Sequence, residues 1–171
     1  MHFPSSPDLA LRRTVEEDLD FVVAAENHPE NRPYVFQWAR ERHRAALANG
    51  DLRHLILDAL PERRPVGYAI LAGIQNAHRS VELMRIVVTE KRRGYGREGV
   101  RLIQELAFDF LGAHRLWLDM RTYNDQAREL YRSTGFVEEG ILRDCVLVDG
   151  VFYSNVIMSM LEGEYQRYSK K

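Results

Sequence analysis

The residues with the plainest chemistry lie together between positions 91 and 101. Gly94-Tyr95-Gly96-Arg97-Glu98-Gly99 follows an apolar run that ends at Val88. It opens a segment whose apolar residues, Val100, Ile103, Ala107 and Phe110, recur at helical spacing. Glycines let the main chain approach a ligand closely, and the free N–H groups of a helix start bind phosphate. Lys91, Arg92, Arg93, Arg97 and Arg101 add positive charge around the turn, on a chain whose 24 Lys plus Arg and 25 Asp plus Glu leave a formal charge of −1. A cationic cluster on a near-neutral chain suits a polyphosphorylated small molecule. The overall balance gives no polyelectrolyte attraction to nucleic acid or to an anionic membrane. Other chemistries are thin. The one cysteine, Cys145, excludes an internal disulfide, Cys-based zinc sites and CxxC redox chemistry. The six histidines lack metal-ligand spacing, so no metal is expected; His54 and His114 read as structural or solvated.

The elements that must position this turn can be read from pattern. Leu9 to Arg13 is a short strand. Thr14, with Glu17 three residues on, is a capping-box signature for a helix through about Asn27. A polar loop, His28 to Pro33, leads to a second helix over about Phe36 to Asn49, which Gly50 stops. Leu52–Ala59 and Val66–Gly73 flank the turn-rich Pro61–Pro65 as a hairpin. Val81–Val88 is a strand, Gly96–Leu111 a helix, Leu116–Met120 a strand and Asn124–Ser133 a helix. Asp149-Gly150 between two apolar runs signals a final hairpin over Gly140–Val148 and Val151–Met160. A two-residue turn there pairs Val148 with Val151, Val146 with Tyr153 and Asp144 with Asn155. The order β-α-α-β-β-β-α-β-α-β-β predicts an α/β (α+β) fold: a mixed, mostly antiparallel central sheet with helices on both faces. Val81–Val88 and Leu116–Met120 should run parallel through a right-handed crossover. Length and the absence of linkers predict one domain over 1–171, its core about 9–161. The start, Met1 to Pro7, has no signal-peptide pattern. The longest largely apolar run, Val66–Ala77, falls short of the ~18–20 residues that span a bilayer. A cytoplasmic setting is expected.

Two ligand classes compete for the glycine turn. The pattern reads literally as a dinucleotide fingerprint, and Asp119 lies 20 residues past Gly99, where a ribose-binding acid belongs. Coenzyme A, with its own pyrophosphate, could use the same turn. Thr89–Arg93 separates the strand from the first glycine, and only one βαβ unit is readable, both of which favour coenzyme A.

The segment Asn124-Asp125-Gln126-Ala127-Arg128-Glu129-Leu130-Tyr131-Arg132-Ser133-Thr134-Gly135-Phe136 resembles the N-x-x-A-x-x-L-Y-x-x-x-G-F motif of the GNAT superfamily of acetyl-CoA-dependent N-acyltransferases. The glycine turn resembles the same superfamily's Q/R-x-x-G-x-G/A motif, with Lys91 where Gln or Arg is usual; lysine keeps a donor there but not a planar one. The tail motifs Glu139–Asp144, Asp149-Gly150 and Met158–Leu161, and the Arg85–Val88 run, are similar to the ribosomal-protein N-acetyltransferase-like branch. The resemblance spans about Leu9 to Leu161.

The resemblance implies a GNAT-like fold and acetyl-CoA as acyl donor. Backbone groups of Ile86, Val87 and Val88 would hold the pantetheine arm, and the amides of Arg92, Arg93, Gly94, Tyr95, Gly96 and Arg97 the pyrophosphate. Tyr131 matches the tyrosine that protonates the leaving thiolate, although it also suits a core aromatic on the Ala127–Leu130–Tyr131 face. Asn124 would orient the strand-to-helix turn or contact the coenzyme, and is also a good N-cap. Asp119, on a face with Trp117 and Arg121, and Glu82 are the candidate bases. Glu26, Glu30, Asn31, Tyr34, Gln37 and Trp38 are candidates for the acceptor site, where acids near aromatics suit a cationic amine. The expected partner is a small-molecule amine or a protein N-terminus, and the edge strand of the last hairpin could pair two copies. A non-catalytic coenzyme-A sensor and a nicotinamide-dependent reductase are the alternatives.

Overall fold

The computed structural model describes residues 3–169. Seven strands, β1 (Leu9–Arg13), β2 (Leu52–Ala59), β3 (Arg64–Ala72), β4 (Ser80–Val88), β5 (Arg115–Arg121), β6 (Val137–Val148) and β7 (Val151–Leu161), form one sheet in the order β1-β2-β3-β4-β5-β7-β6. Only β4 and β5 run parallel; every other neighbouring pair is antiparallel. Among the described residues five α-helices accompany them, α1 (Leu19–Asn27), α2 (Arg40–Ala48), α3 (Tyr95–Glu105), α4 (Asp125–Ser133) and α5 (Glu162–Tyr168), with a 3-10 turn at Glu16–Asp18 before α1 and a π turn at Leu106–Phe110 continuing α3. The mixed sheet with helices on both faces is as expected. On one face Val100, Ile103 and Leu106 of the α3 segment, with Tyr131 and Phe136, pack on Leu55, Leu57, Leu71 and Leu83. On the other, Val22 and Ala25 of α1 pack on Ile56, Tyr68, Ile70 and Val87.

The parallel ladder is very short. It joins Ser80–Glu82 to Arg115–Trp117 and then stops, although β4 runs on to Val88 and β5 to Arg121. Past this point β5 stays paired with β7 along its whole length, and β4 stays paired with β3. A bulge at Met84, between the pairs Leu71–Leu83 and Ile70–Arg85, bends β4 where the two strands part. Gly67 lets β3 lie close behind this stretch: a Cβ there would meet the Val87 carbonyl oxygen at 2.5 Å.

Four local expectations are corrected. Thr14 does not cap: its Oγ1 lies 2.9 Å from His54 Nδ1, and Asp18 instead accepts the Val15 N–H at 2.9 Å. The second helix begins at Arg40, not near Phe36, so residues 28–39 form a long irregular loop. In the last hairpin Val148 and Val146 pair as expected, but Asn155 faces Leu142 rather than Asp144. Two extra residues bulge β6 there, with Asp144 at φ 49 and its N–H on Ser154 Oγ. The α5 helix was not foreseen; Tyr165 and Tyr168 seat it on the α3 face.

Candidate active site

Where β4 and β5 part, a cleft of about 650 Å³ opens. Leu83–Val88 of β4 form one wall and Asp119 and Met120 of β5 another. The glycine turn closes one end with Lys91, Arg92, Gly94, Gly96 and Arg97. Asn124, Ala127, Leu130 and Tyr131 come from the α4 side, and Pro33, Tyr34 and Val35 from the 28–39 loop.

The glycine turn presents its backbone to the cleft. Gly94 precedes α3 at φ 83, a left-handed conformation that suits glycine, and a Cβ there would meet no atom within 4 Å. No side chain caps α3, and its first main-chain bond runs from the Glu98 N–H to the Gly94 carbonyl. The amides of residues 95–97 therefore face the turn without intrahelical acceptors. Neither Arg93 nor Tyr95, whose main-chain amides belong to the expected coenzyme set, is among the residues lining the cleft, and the Tyr95 side chain packs against the core. Ile86, Val87 and Val88 do line it. So does Lys91, whose Nζ donates to Asn31 Oδ1 at 2.6 Å; burial holds its ammonium below the usual lysine range.

Tyr131 is 8% exposed and stands edge-on to Phe136, their ring centroids 5.6 Å apart. Burial raises its phenol well above the ordinary tyrosine value. Asn124 does both things its type allows: its Oδ1 accepts the Ala127 N–H at 3.2 Å, and it lines the cleft. Asp119 is exposed in the cleft, where Asn155 donates to its Oδ2 at 2.8 Å while Arg121 donates to Asn155 Oδ1. Among the described residues no arginine forms a salt bridge with it. Glu82 does not line the cleft. Burial, and then the negative charge of Asp119, push its carboxyl up.

The predicted acceptor residues divide. Glu30, Asn31 and Tyr34 line the cleft; Gln37 does not. Glu26 and Trp38 are not on its wall either. Glu26 is fully buried and accepts hydrogen bonds from Tyr68, Arg85 and the Trp38 main-chain N–H. Burial raises its carboxyl, but His43, Tyr68, the Trp38 amide and the charge of Arg85 together outweigh that and leave it low. Arg85 is the residue missed: it lines the cleft yet is only 7% exposed. A lone arginine inside the apolar run Val81–Val88 was the available signal, since such a charge needs a buried partner. Among the described residues no cluster of three His, Cys, Asp or Glu could hold a metal, and no helix is long and apolar enough to cross a membrane.

The chain aligns over 95% of its length with the spermidine N(1)-acetyltransferases of Vibrio cholerae and Escherichia coli, at 26% identity to each, covering 98% and 90% of those proteins. The crystal structure of the Vibrio cholerae spermidine N-acetyltransferase in complex with CoA and spermine superposes with a TM-score of 0.84 at 23% identity, over 94% of this chain and 99% of that one. The reading of the tail motifs as ribosomal-protein-like is thereby corrected, because these relatives, matched over 95% of the chain, are spermidine acetyltransferases. The family described as Acetyltransferase (GNAT) matches residues 15–136, a stretch that carries the parted strands, the glycine turn and the tyrosine helix alike. Sequence and cleft thus lead to one assignment: the chain is an acetyltransferase and belongs to the GNAT family.

Proposed function

We propose that the protein transfers an acetyl group from acetyl-CoA to a primary amine of the polyamine type, by direct attack within a ternary complex. One juxtaposition carries the reading: an uncapped helix start and the phenol of Tyr131 open on the same cleft where β4 leaves β5. The spermidine relatives, matched along nearly the whole chain, support the acceptor class.

The residues present fit the coenzyme. Open space at Gly94, the free amides of residues 95–97, and Arg92 and Arg97 at the cleft end would take a diphosphate. The Ile86–Val88 main chain, unpaired on its β5 side, would take an extended arm. Acetyl-CoA supplies a thioester-activated acetyl group. A free alkylamine with a pKa near ~10.4 costs about 4 kcal/mol to deprotonate at pH 7.4. We assign Asp119, in the cleft, as the group that takes that proton, with Glu82 behind it as the second carboxylate. Tyr131, kept protonated by its burial, would give its Oη proton to the departing sulfur. Glu30 and Tyr34 would meet the acceptor from the loop. Among the described residues no partner hydrogen-bonds the Tyr131 hydroxyl, which leaves it available.

The test is CoA release from acetyl-CoA with spermidine, a simple monoamine and an N-terminal peptide. Turnover with spermidine is expected; turnover with the peptide alone would move the acceptor class, and none with any amine would end the reading. We also propose a homodimer through the outer edge of β6, which exposes Ile141, Leu142 and Leu147, and a cytoplasmic setting for a chain whose one cysteine is exposed. Sedimentation at micromolar concentration should show the dimer.

A further inference from the structure

The acceptor side of the molecule holds a buried polar cluster that the transfer itself does not use. Its centre is Glu26 of α1, which has no exposed surface. Glu26 Oε1 accepts hydrogen bonds from Tyr68 of β3 and Arg85 of β4. Its Oε2 accepts the Trp38 main-chain N–H at 2.7 Å. His43 of α2 brings Nε2 to 3.3 Å from Oε1, short of hydrogen-bond alignment. The cluster continues through His43 Nδ1, 3.0 Å from His54 Nε2, to Thr14 Oγ1 on the far side of His54. The Trp38 indole lies between two guanidinium groups, Arg85 and Arg42, each 4.0 Å from its ring centroid.

One carboxylate therefore joins α1, β3, β4 and the end of the 28–39 loop, and two of these segments build the cleft. Arg85 follows the Met84 bulge and lines the wall. The 28–39 loop, with no regular structure of its own, supplies Pro33, Tyr34 and Val35 to the opposite wall and ends at Trp38 on Glu26. The coenzyme stretch of β4 has an independent support, its ladder to β3 from Ile70–Arg85 to Gly67–Val88. The loop's first half is held separately, by Asn31 on Lys91 and on the Ala25 carbonyl and by Pro33 on the Tyr123 hydroxyl; losing Glu26 would free its Trp38 end and leave a buried guanidinium unpaired next to the cleft, while the ladder kept Ile86–Val88 in place.

We infer that the Glu26–Arg85 pair is a positioning device for the amine acceptor: it pins the Trp38 end of the 28–39 loop over β4 and holds the Arg85 guanidinium away from the acceptor's path. Glu26, whose type suggested a substrate-binding acid, acts instead through Trp38 and Arg85 without touching substrate. The inference rests on the acetyl-transfer reading and deepens it.

Steady-state kinetics with acetyl-CoA and spermidine separate the two. In Glu26→Gln, kcat/KM for spermidine should fall about tenfold or more, as expected for a displaced substrate wall, with KM for acetyl-CoA within about twofold of wild type. The double variant Glu26→Gln/Arg85→Met leaves no unpaired buried charge and should recover thermal stability, yet its kcat/KM for spermidine should stay low. Recovery of activity together with stability would overturn the inference, because the pair would then serve folding alone. So would an equal loss against both substrates in the double variant. A wild type that binds acetyl-CoA but acetylates no amine removes the transfer reading itself, and this inference falls with it. An active wild type with an unimpaired double variant removes only the positioning role.

Discussion

In the acid role proposed for Tyr131, burial decides the protonation state. A phenol whose ionisation is disfavoured stays protonated throughout the neutral range, so it can give a proton but not take one. Tyr131→Phe should lower kcat about 10²-fold, the low end of general-acid contributions. Equilibrium binding of acetyl-CoA, followed by calorimetry, should be unchanged. The two carboxylates at the strand fork are coupled. Glu82 is raised by its burial and further by the charge of Asp119. Removing that charge in Asp119→Asn should bring the Glu82 carboxyl back down toward its ordinary value. A titration of Glu82 followed by carbon-13 NMR would read this as a midpoint moved to lower pH; an unmoved midpoint would mean that the two groups do not sense each other.

Among the elements, β4 matters most, and its shape depends on its neighbours. Three parallel pairs fasten it to β5 and then release it, while Gly67 allows β3 to sit tightly behind the released part. In Gly67→Ala the new methyl would press on the Val87 carbonyl, and strain of this kind costs typically about 1–3 kcal/mol. In a chain of this size that corresponds to a melting temperature lower by roughly 2–12 °C. Because Val87 lines the cleft, acetyl-CoA affinity should fall with it. Calorimetric melting and a binding isotherm on the same preparation check both effects. A variant that melts like wild type would show that β3 can give way without cost.

The whole molecule should respond to pH and to coenzyme. His54 is buried behind the acceptor side, and burial, then repulsion from His43, hold its imidazole at about 4 instead of 6.5. As pH falls below 6.5 the unfolded chain takes up that proton first, so stability is full above this value and is lost progressively down to about 4. The loss amounts to about 3 kcal/mol at most. Urea unfolding at pH 7 and pH 4 should show it, and His54→Gln should flatten that part of the profile. Coenzyme acts in the opposite direction. Acetyl-CoA at 100 times its Kd should stabilise the fold by about 2.7 kcal/mol, whereas a nicotinamide dinucleotide should leave the melting temperature where it was.

Legibility in the sequence follows range. The glycine turn, the Asn124–Phe136 segment and the Asp149-Gly150 hairpin were readable because turn geometry, helix capping and close backbone approach are decided by residue types a few positions apart. The end of the cleft built by the glycine turn could therefore be outlined from the chain alone, and so could the order of strands and helices. The wall supplied by the 28–39 loop could not. Whether Glu26 faces substrate or the interior depends on Tyr68 and Arg85, 42 and 59 residues away. Thr14 is drawn from its capping role by His54, 40 residues on. The fork between β4 and β5 depends on the bulge at Met84 and on the separate ladders that hold β4 to β3 and β5 to β7 on their outer edges. Local chemistry shaped the elements, whereas the fate of each buried charge was settled only when distant segments came together, since an ion taken out of water must take whatever partner the fold brings within reach.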